Sequence, residues 1–199
     1  DGSADETLPR INELKDQYHN VMVIPHGKNR GMGAAIKTGI ANSSGDLLIC
    51  LDSDLTYRPE DIPSLLDAYR KSGCDCVSGS PYLQSGLLDD VSFIRLIPSK
   101  GVTLLYRLLL RERITCMSAI FRLYRKEVFD IISIESNNYE INAEILSKML
   151  LNGMSVVEVP VVLHRREYGE SKLNARKEII NNLKLLAKIF RTKYLGMKW

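Results

Sequence analysis

The 199-residue sequence predicts an α/β domain: a mostly parallel sheet flanked by helices on both faces. Three observations predict it. Helix-period and strand-like apolar segments alternate through the first two-thirds of the chain. Residues 47–51, Leu-Leu-Ile-Cys-Leu, form an apolar run without polar alternation, as a strand buried on both faces requires. The composition, 45% hydrophobic and 26% charged, suits one folded domain with a sizeable core.

Taken in order, residues 8–18 read as a helix, with Pro9 near its start and Leu8, Ile11, Leu14 and Tyr18 on one stripe. Residues 21–24 are a short apolar strand. Residues 31–41 are a helix of small residues, and 47–51 the buried strand. Residues 59–70 form a helix carrying Ile62, Leu65, Leu66 and Tyr69, followed by a strand over 76–78. Residues 93–110 are strongly apolar, punctuated by Arg95, Lys100 and Arg107, with Pro98 expected to break the segment. A strand over 119–124, a helix over 140–151 and a strand over 156–162 come next. Residues 178–191 form an amphipathic helix: Ile179, Leu183, Leu186 and Phe190 recur at helical spacing, while Lys177, Lys184, Lys188 and Arg191 line another face. No internal repeat or long linker divides the chain, so residues 1–175 read as one domain and 176–199 as a basic amphipathic C-terminal helix.

Composition excludes several classes. Mixed charge and hydrophobic content argue against disorder. The longest apolar run is far short of the ~18 residues of a membrane span, and the polar, acidic opening Asp1-Gly2-Ser3-Ala4-Asp5 is no secretory signal. Cys50, Cys74, Cys76 and Cys116 lack C-x-x-C spacing and have no histidine near them in sequence, which argues for reduced thiols in a cytosolic setting over a zinc site. The net charge of +3 conceals an asymmetry. From His164 to Trp199 ten basic residues face three acidic ones, a surplus of +7, while the remaining 17 basic and 21 acidic residues give −4. A basic tail on an acidic body points to an anionic partner. Its aromatic residues (Tyr168, Phe190, Tyr194) are too sparse for the interleaved pattern of a nucleic-acid binder.

Four constellations carry chemistry. Asp52-Ser53-Asp54 follows the buried strand, at the strand end where α/β sheets bind ligands. Two carboxylates at i and i+2 in a turn can aim at one hard cation, Mg²⁺ or Mn²⁺, shared with substrate phosphates; the same pair would also serve as an ordinary loop and helix cap. Asn29-Arg30-Gly31-Met32-Gly33-Ala34-Ala35 opens a helix whose glycines allow close backbone approach and whose N-terminus favours anions. The opening loop offers Asp1 and Asp5 to a ribose or base. Arg165-Arg166-Glu167-Tyr168-Gly169-Glu170-Ser171-Lys172 is a basic loop suited to a diphosphate or phosphomonoester.

In succession, Asp1-Gly2-Ser3-x-Asp5-x-Thr7, Asn29-x-Gly31-x-Gly33-x-Ala35, Asp52-Ser53-Asp54, Phe121-Arg122-x-Tyr124-Arg125 and Arg166-x-x-Gly169-x-Ser171-Lys172 resemble family 2 glycosyltransferases of the GT-A (Rossmann-like) fold. The similarity is to the branch of dolichol-phosphate mannose synthases and bacterial polyprenyl-phosphate relatives. The resemblance implies inverting transfer of a mannose- or glucose-type sugar from a GDP- or UDP-linked donor to a polyprenyl phosphate. It implies that Asp1, Asp5, Asn29 and Gly31 lie on the nucleotide side, and that Asp52 and Asp54 hold Mg²⁺ or Mn²⁺. Arg95 and Ser99 then lie near the acceptor phosphate, Arg122 is the arginine of the F-R motif, and Glu144 orients groups from the following helix. Arg166, Ser171 and Lys172 close over the phosphates.

The chemistry suits such a set. A lipid phosphate is already ionised, so it needs positioning and charge screening more than a general base. Thr56 stands where relatives often carry Gln, Met32 where a basic residue is common, and Pro81 where one branch has Arg. Asp1 falls inside the nucleotide loop, so the resemblance implies an N-terminally truncated fold lacking a strand–helix–strand of roughly 35 residues. Residues 93–110 and 178–191 combine leucines with cations, the composition of helices that lie on anionic lipid, which implies a cytoplasmic protein peripheral on the membrane's cytoplasmic face. The alternatives are a transferase with a soluble or polysaccharide acceptor and a silent nucleotide-binding fragment.

Overall fold

The computed structural model describes residues 1–88, 93–166 and 174–199, the side chains of residues 93–98 and 175 excepted. Seven helices and four strands are found among them: α1 (Thr7–Gln17), α2 (Met32–Asn42), β1 (Leu47–Cys50), α3 (Ile62–Ser72), β2 (Cys76–Ser80), α4 (Phe93–Leu110), β3 (Arg122–Arg125), α5 (Val128–Ile131), α6 (Ile141–Leu151), β4 (Val156–Pro160) and α7 (Ala175–Leu195). A 3₁₀ turn, Pro59–Asp61, leads into α3.

The sheet order is β1-β3-β2-β4. β2 and β4 pair in parallel, Cys76 opposite Val156, whereas β3 runs antiparallel to both β1 and β2. Three strands therefore share one direction and β3 is inserted against them. The expected α/β sheet flanked by helices is present, with three of its four strands in one direction; the insertion of an antiparallel β3 is not foreseen by the sequence pattern, because hydrophobic runs report burial and carry no information on strand order. β2 is buried at all five positions, as befits a strand with neighbours on both sides.

Two expectations are corrected. Residues 21–24 pair with no strand among the described residues, and Met22 and Ile24 are exposed. A four-residue apolar run without a ladder partner has too few hydrogen bonds to persist as a strand. Pro98 lies inside α4, which continues through it. The proline removes one backbone donor in the helix's second turn, and the long apolar segment beyond it packs well enough to sustain the helix.

The core has three parts. On one sheet face Leu65 of α3 meets Val77, Phe121, Leu123 and Val161, with Tyr57 stacked on Phe121 at 5.6 Å. On the other, Cys76 and Tyr124 pack against Ile141, Ile145 and Met149 of α6. Behind α6, Leu146 and Ala143 meet Tyr106 and Leu110 of α4 and Leu185 and Ile189 of α7. α6 is thus the hub, with nine of its eleven residues buried. All four cysteines are free; Cys74, Cys76 and Cys116 are buried and Cys50 half-buried.

Candidate active site

A cleft of about 290 Å³ opens at the end of β1, lined among others by Asp52, Asp54, Tyr82, Ser99, Tyr139 and Arg166. The turn after β1 builds its acidic floor. Leu55 adopts φ 58°, a left-handed backbone that costs a bulky L-residue about 1–2 kcal/mol. The turn is fastened by Thr56, whose backbone N–H (3.1 Å) and hydroxyl (2.8 Å) both donate to Asp54 Oδ1. Asp54 Oδ2 faces Arg166 Nη2 at 2.6 Å. Burial, and then the like charge of Asp54, push the Asp52 carboxyl up to about 6, against the opposing pull of Arg166.

This donor set fits a hard divalent cation. Its two carboxylates supply oxygen ligands, they repel one another in a half-buried site, and one already draws a guanidinium to itself. Among the described residues no group of three or more His, Cys, Asp or Glu side chains converges as a metal cage. A cation here would therefore complete its shell with water and phosphate oxygens, the usual mode for Mg²⁺.

Another part of the lining, around Ser99, Ser118 and Asn142, carries neutral polar groups. Ser99 and Ser118 share a 3.0 Å hydroxyl–hydroxyl contact, and the Asn142 amide donates to the Ser118 carbonyl at 3.5 Å. Ser80 and Thr115 hydroxyls lie 2.6 Å apart, and Glu158 accepts the backbone N–H of Thr115 (2.7 Å) and Cys116 (3.1 Å). These contacts fix the 115–118 segment that forms this side of the cleft.

Arg122 and Glu144 are placed behind the cleft wall and are absent from its lining. Arg122 is 0% exposed; its guanidinium donates to Ser78 Oγ and to the carbonyls of Cys116, Met117 and Asn142. Three of those residues belong to the segments that shape the wall, so Arg122 acts through them. Glu144, 1% exposed, accepts the backbone N–H groups of Glu135 (2.9 Å) and Ser136 (2.7 Å) and pairs with Lys148 at 2.9 Å. Although burial opposes it, these bonds from Ser136, Glu135 and Lys148 hold its carboxyl below the usual range. The loop it clamps supports α2: the Asn137 carbonyl accepts Gly33 N–H at 2.9 Å. A Cβ on Gly33 would lie 2.7 Å from that loop's backbone, and one on Gly31, at φ 96°, 2.2 Å from the Asn137 carbonyl oxygen. Both side chains are expected at the site from their motif positions; the structure buries them behind its wall, out of reach of the cleft itself.

The residues that the resemblance ascribes to the nucleotide form a separate knot. Asp1 accepts backbone N–H groups of Arg30 and Gly31 and lies 2.6 Å from His26 Nδ1, whose Nε2 meets Thr38 Oγ1 at 2.9 Å. Asn29 donates to the Asp1 carbonyl and accepts from Gly31 N–H, and Asp5 accepts Thr7 N–H. The Asp1 carboxylate is thus committed to bracing the loop that opens α2. Arg95 lies in the first turn of α4 with its side chain outside the described residues, and Ser171 and Lys172 lie outside them altogether. Sequence reasoning missed His26, Tyr139, Asn142, Glu158 and His164, which share no motif. The one available signal was position, since His164 closely follows β4 as Asp52 follows β1.

Comparison with known proteins agrees with this architecture. Residues 1–132 match the family described as Glycosyl transferase family 2. The chain is 35% identical over its whole length to a dolichol-phosphate mannosyltransferase of Pyrococcus furiosus, of which it spans 54%. It is 33% identical over 87% of its length to a polyprenol monophosphomannose synthase of Mycolicibacterium smegmatis, covering 68% of that protein. In fold it resembles glucosyl-3-phosphoglycerate synthase from Mycobacterium tuberculosis, solved with phosphoglyceric acid: TM-score 0.64 at 16% identity, over 96% of this chain and 66% of that one. The same synthase solved with Mn²⁺, uridine diphosphate and phosphoglyceric acid aligns with TM-score 0.63 at 17% identity, over 96% of this chain and 64% of that one. With its α/β fold, its acidic turn after β1 and the match over residues 1–132, the chain belongs to glycosyl transferase family 2.

Proposed function

We propose that the chain transfers a mannose- or glucose-type sugar from a GDP- or UDP-linked donor to a polyprenyl or dolichyl phosphate at a membrane surface. The observation that carries this reading is the pairing, in one cleft, of the Asp52–Asp54 floor with Arg165 and Arg166 and with the Ser99–Ser118 hydroxyls. Its two named relatives point to mannosyl transfer and a polyprenol-type acceptor.

Asp52 and Asp54 would hold Mg²⁺ or Mn²⁺, which supplies charge neutralisation to a departing diphosphate. Arg165 and Arg166 stand beside this floor as cationic partners for phosphate oxygens. Ser99 and Ser118 offer hydroxyl donors to an acceptor phosphate. No strong base is needed, because a phosphate monoester is ionised at neutral pH; the task of the wall is to align its oxygen for an inverting displacement.

The two long C-terminal-half helices support a peripheral membrane setting. α4 exposes Leu104, Leu105 and Leu108, the last at 67%, beside Arg107 and Arg111. α7 exposes Ile180, Leu183 and Phe190 beside Lys184 and Arg191. No described helix is long and apolar enough to cross a bilayer. Residues 1–175 would then be the transferase domain and 176–199 its membrane-facing helix, on the cytoplasmic face where free thiols persist.

The test is transfer of labelled sugar from GDP- and UDP-donors into an organic-extractable lipid phosphate, with Mg²⁺ or Mn²⁺. Label in the organic phase, abolished by chelator and by Asp54→Asn, is expected. Label only in a water-soluble product would replace the lipid acceptor by a soluble one. Folded protein with neither product would reduce the chain to a nucleotide-binding module.

A further inference from the structure

The two oxygens of the Asp54 carboxylate are used differently. Oδ1 is occupied by its own turn, accepting both the N–H and the hydroxyl of Thr56. Oδ2 is met by the guanidinium of Arg166, at 2.6 Å. The segment that delivers Arg166 is anchored on the same turn, because the Thr56 carbonyl accepts His164 N–H at 2.9 Å. Two residues beyond that anchor, the guanidinium returns to the acidic floor. Both partners keep some solvent access, 33% for the Arg166 side chain and 18% for that of Asp54, so the contact can exchange without unfolding the cleft.

A guanidinium and a divalent cation seek the same lone pairs of Oδ2, and their charges repel at ligand distance. We propose that Arg166 is an exchangeable internal counter-cation of Asp54: a divalent cation displaces it from Oδ2, and the freed guanidinium turns to an anionic group of the donor. Thr56 is a positioning residue in this exchange, keeping Oδ1 engaged so that Oδ2 faces the incoming cation. The proposal rests on the reading of Asp52 and Asp54 as a cation-binding pair. It adds an order of events: cation entry and guanidinium release are one step, which readies the arginine for phosphate only when the metal is in place.

The apparent cation affinity of the nucleotide-free protein is then lowered by the fraction of molecules in which Arg166 holds Oδ2. Free Mn²⁺ measured by electron paramagnetic resonance during titration of the full chain gives the affinity without turnover. Arg166→Gln is expected to bind Mn²⁺ about 5–10-fold more tightly than the wild type without nucleotide. With Mn²⁺ saturating, the same variant is expected to bind GDP or UDP more weakly. Thr56→Val, which keeps the backbone donor and loses the hydroxyl, is expected to weaken Mn²⁺ binding a few-fold, and Thr56→Ser to restore it.

Unchanged or weaker Mn²⁺ binding in Arg166→Gln, while the wild type binds and Asp54→Asn does not, overturns the exchange and leaves the cation site standing. Equal binding by wild type and Asp54→Asn, or binding by neither wild type nor Arg166→Gln, overturns the cation site and the exchange with it. Near-ultraviolet circular dichroism of each variant confirms that folded proteins are compared.

Discussion

α1 and α6 are both eleven residues long, and they lie at opposite extremes of packing. α1 buries none of its residues; α6 buries nine. The difference does not lie in the presence of an apolar stripe, since α1 carries Leu8, Ile11 and Leu14 at helical spacing. It lies in what surrounds each helix. α6 is apolar around most of its circumference because the sheet covers one side and α4 and α7 the other. The stripe of α1 is left open to solvent among the described residues, with Leu14 48% exposed. A stripe states what a helix could bury; the topology decides whether anything is there to bury it.

The contrast extends to the site. Asn142 and the 115–118 wall hang on α6 and on the buried Arg122, whereas the Asp1 knot is tied to α2, at its opening and through His26 to Thr38. The best-packed part of the molecule therefore carries the wall with the Ser99–Ser118 pair, and the least-packed part carries the loop ascribed to the nucleotide.

The largest effect is expected at Arg122, which ties β2 and α6 to the 116–117 segment. Arg122→Leu leaves three carbonyls and the Ser78 hydroxyl without their donor and should cost about 3–5 kcal/mol in denaturant unfolding. Leu146→Ala, in the centre of α6, should cost about 3 kcal/mol through the cavity left among Tyr106, Leu185 and Ile189. Urea midpoints measured at one protein concentration would rank the two.

A smaller, pH-dependent effect is expected where α7 begins beside α6. Burial, and then the charge of Glu140, raise Glu178 from 4.5 to about 7, and its Oε2 is buried without a hydrogen-bond partner among the described residues. Folding favours the neutral form, so this contribution is complete below about pH 4.5 and is lost as pH rises towards 7. Glu178→Gln should therefore stabilise the fold slightly at pH 8, by less than about 1 kcal/mol given its partial exposure, and have no effect near pH 4.5, read from denaturant unfolding at the two pH values. Smallest of all, Leu14→Ala on α1 should change stability by no more than about 0.5 kcal/mol. A loss at Leu14 matching that at Leu146 would show α1 to be covered in solution and would erase the contrast.

Much of the helical framework was legible, because a 3.6-residue apolar period persists even where a helix is only half packed. Strand order was not. Nothing in residues 119–124 announces that β3 inserts antiparallel between β1 and β2, since both neighbours bury it alike. In the site, Asp52, Asp54 and Arg166 were legible from charge placed at strand ends. Thr56 entered only as a departure from a pattern, and its two bonds to Asp54 depend on a left-handed Leu55 that no residue type signals. Arg122 and Glu144 were legible as positions, but which side of the wall they occupy depends on packing partners far away in sequence.

The cysteines give the fold a built-in chemical readout. Burial pushes the thiols of Cys50 and Cys76 up to about 11 and about 12, and raises that of Cys116 as well. At neutral pH only about one Cys50 in ten thousand is thiolate, the form that alkylating reagents attack. Labelling must therefore wait for the structure to open, and each of these three cysteines times a different opening. Cys50, at the end of edge strand β1, reports fraying of the sheet margin; Cys76, in the fully buried β2, reports loss of the centre; Cys116 reports movement of the cleft wall. With no cysteine introduced, the rate at which an alkylating reagent consumes each of these thiols dates the dismantling of one part of the molecule.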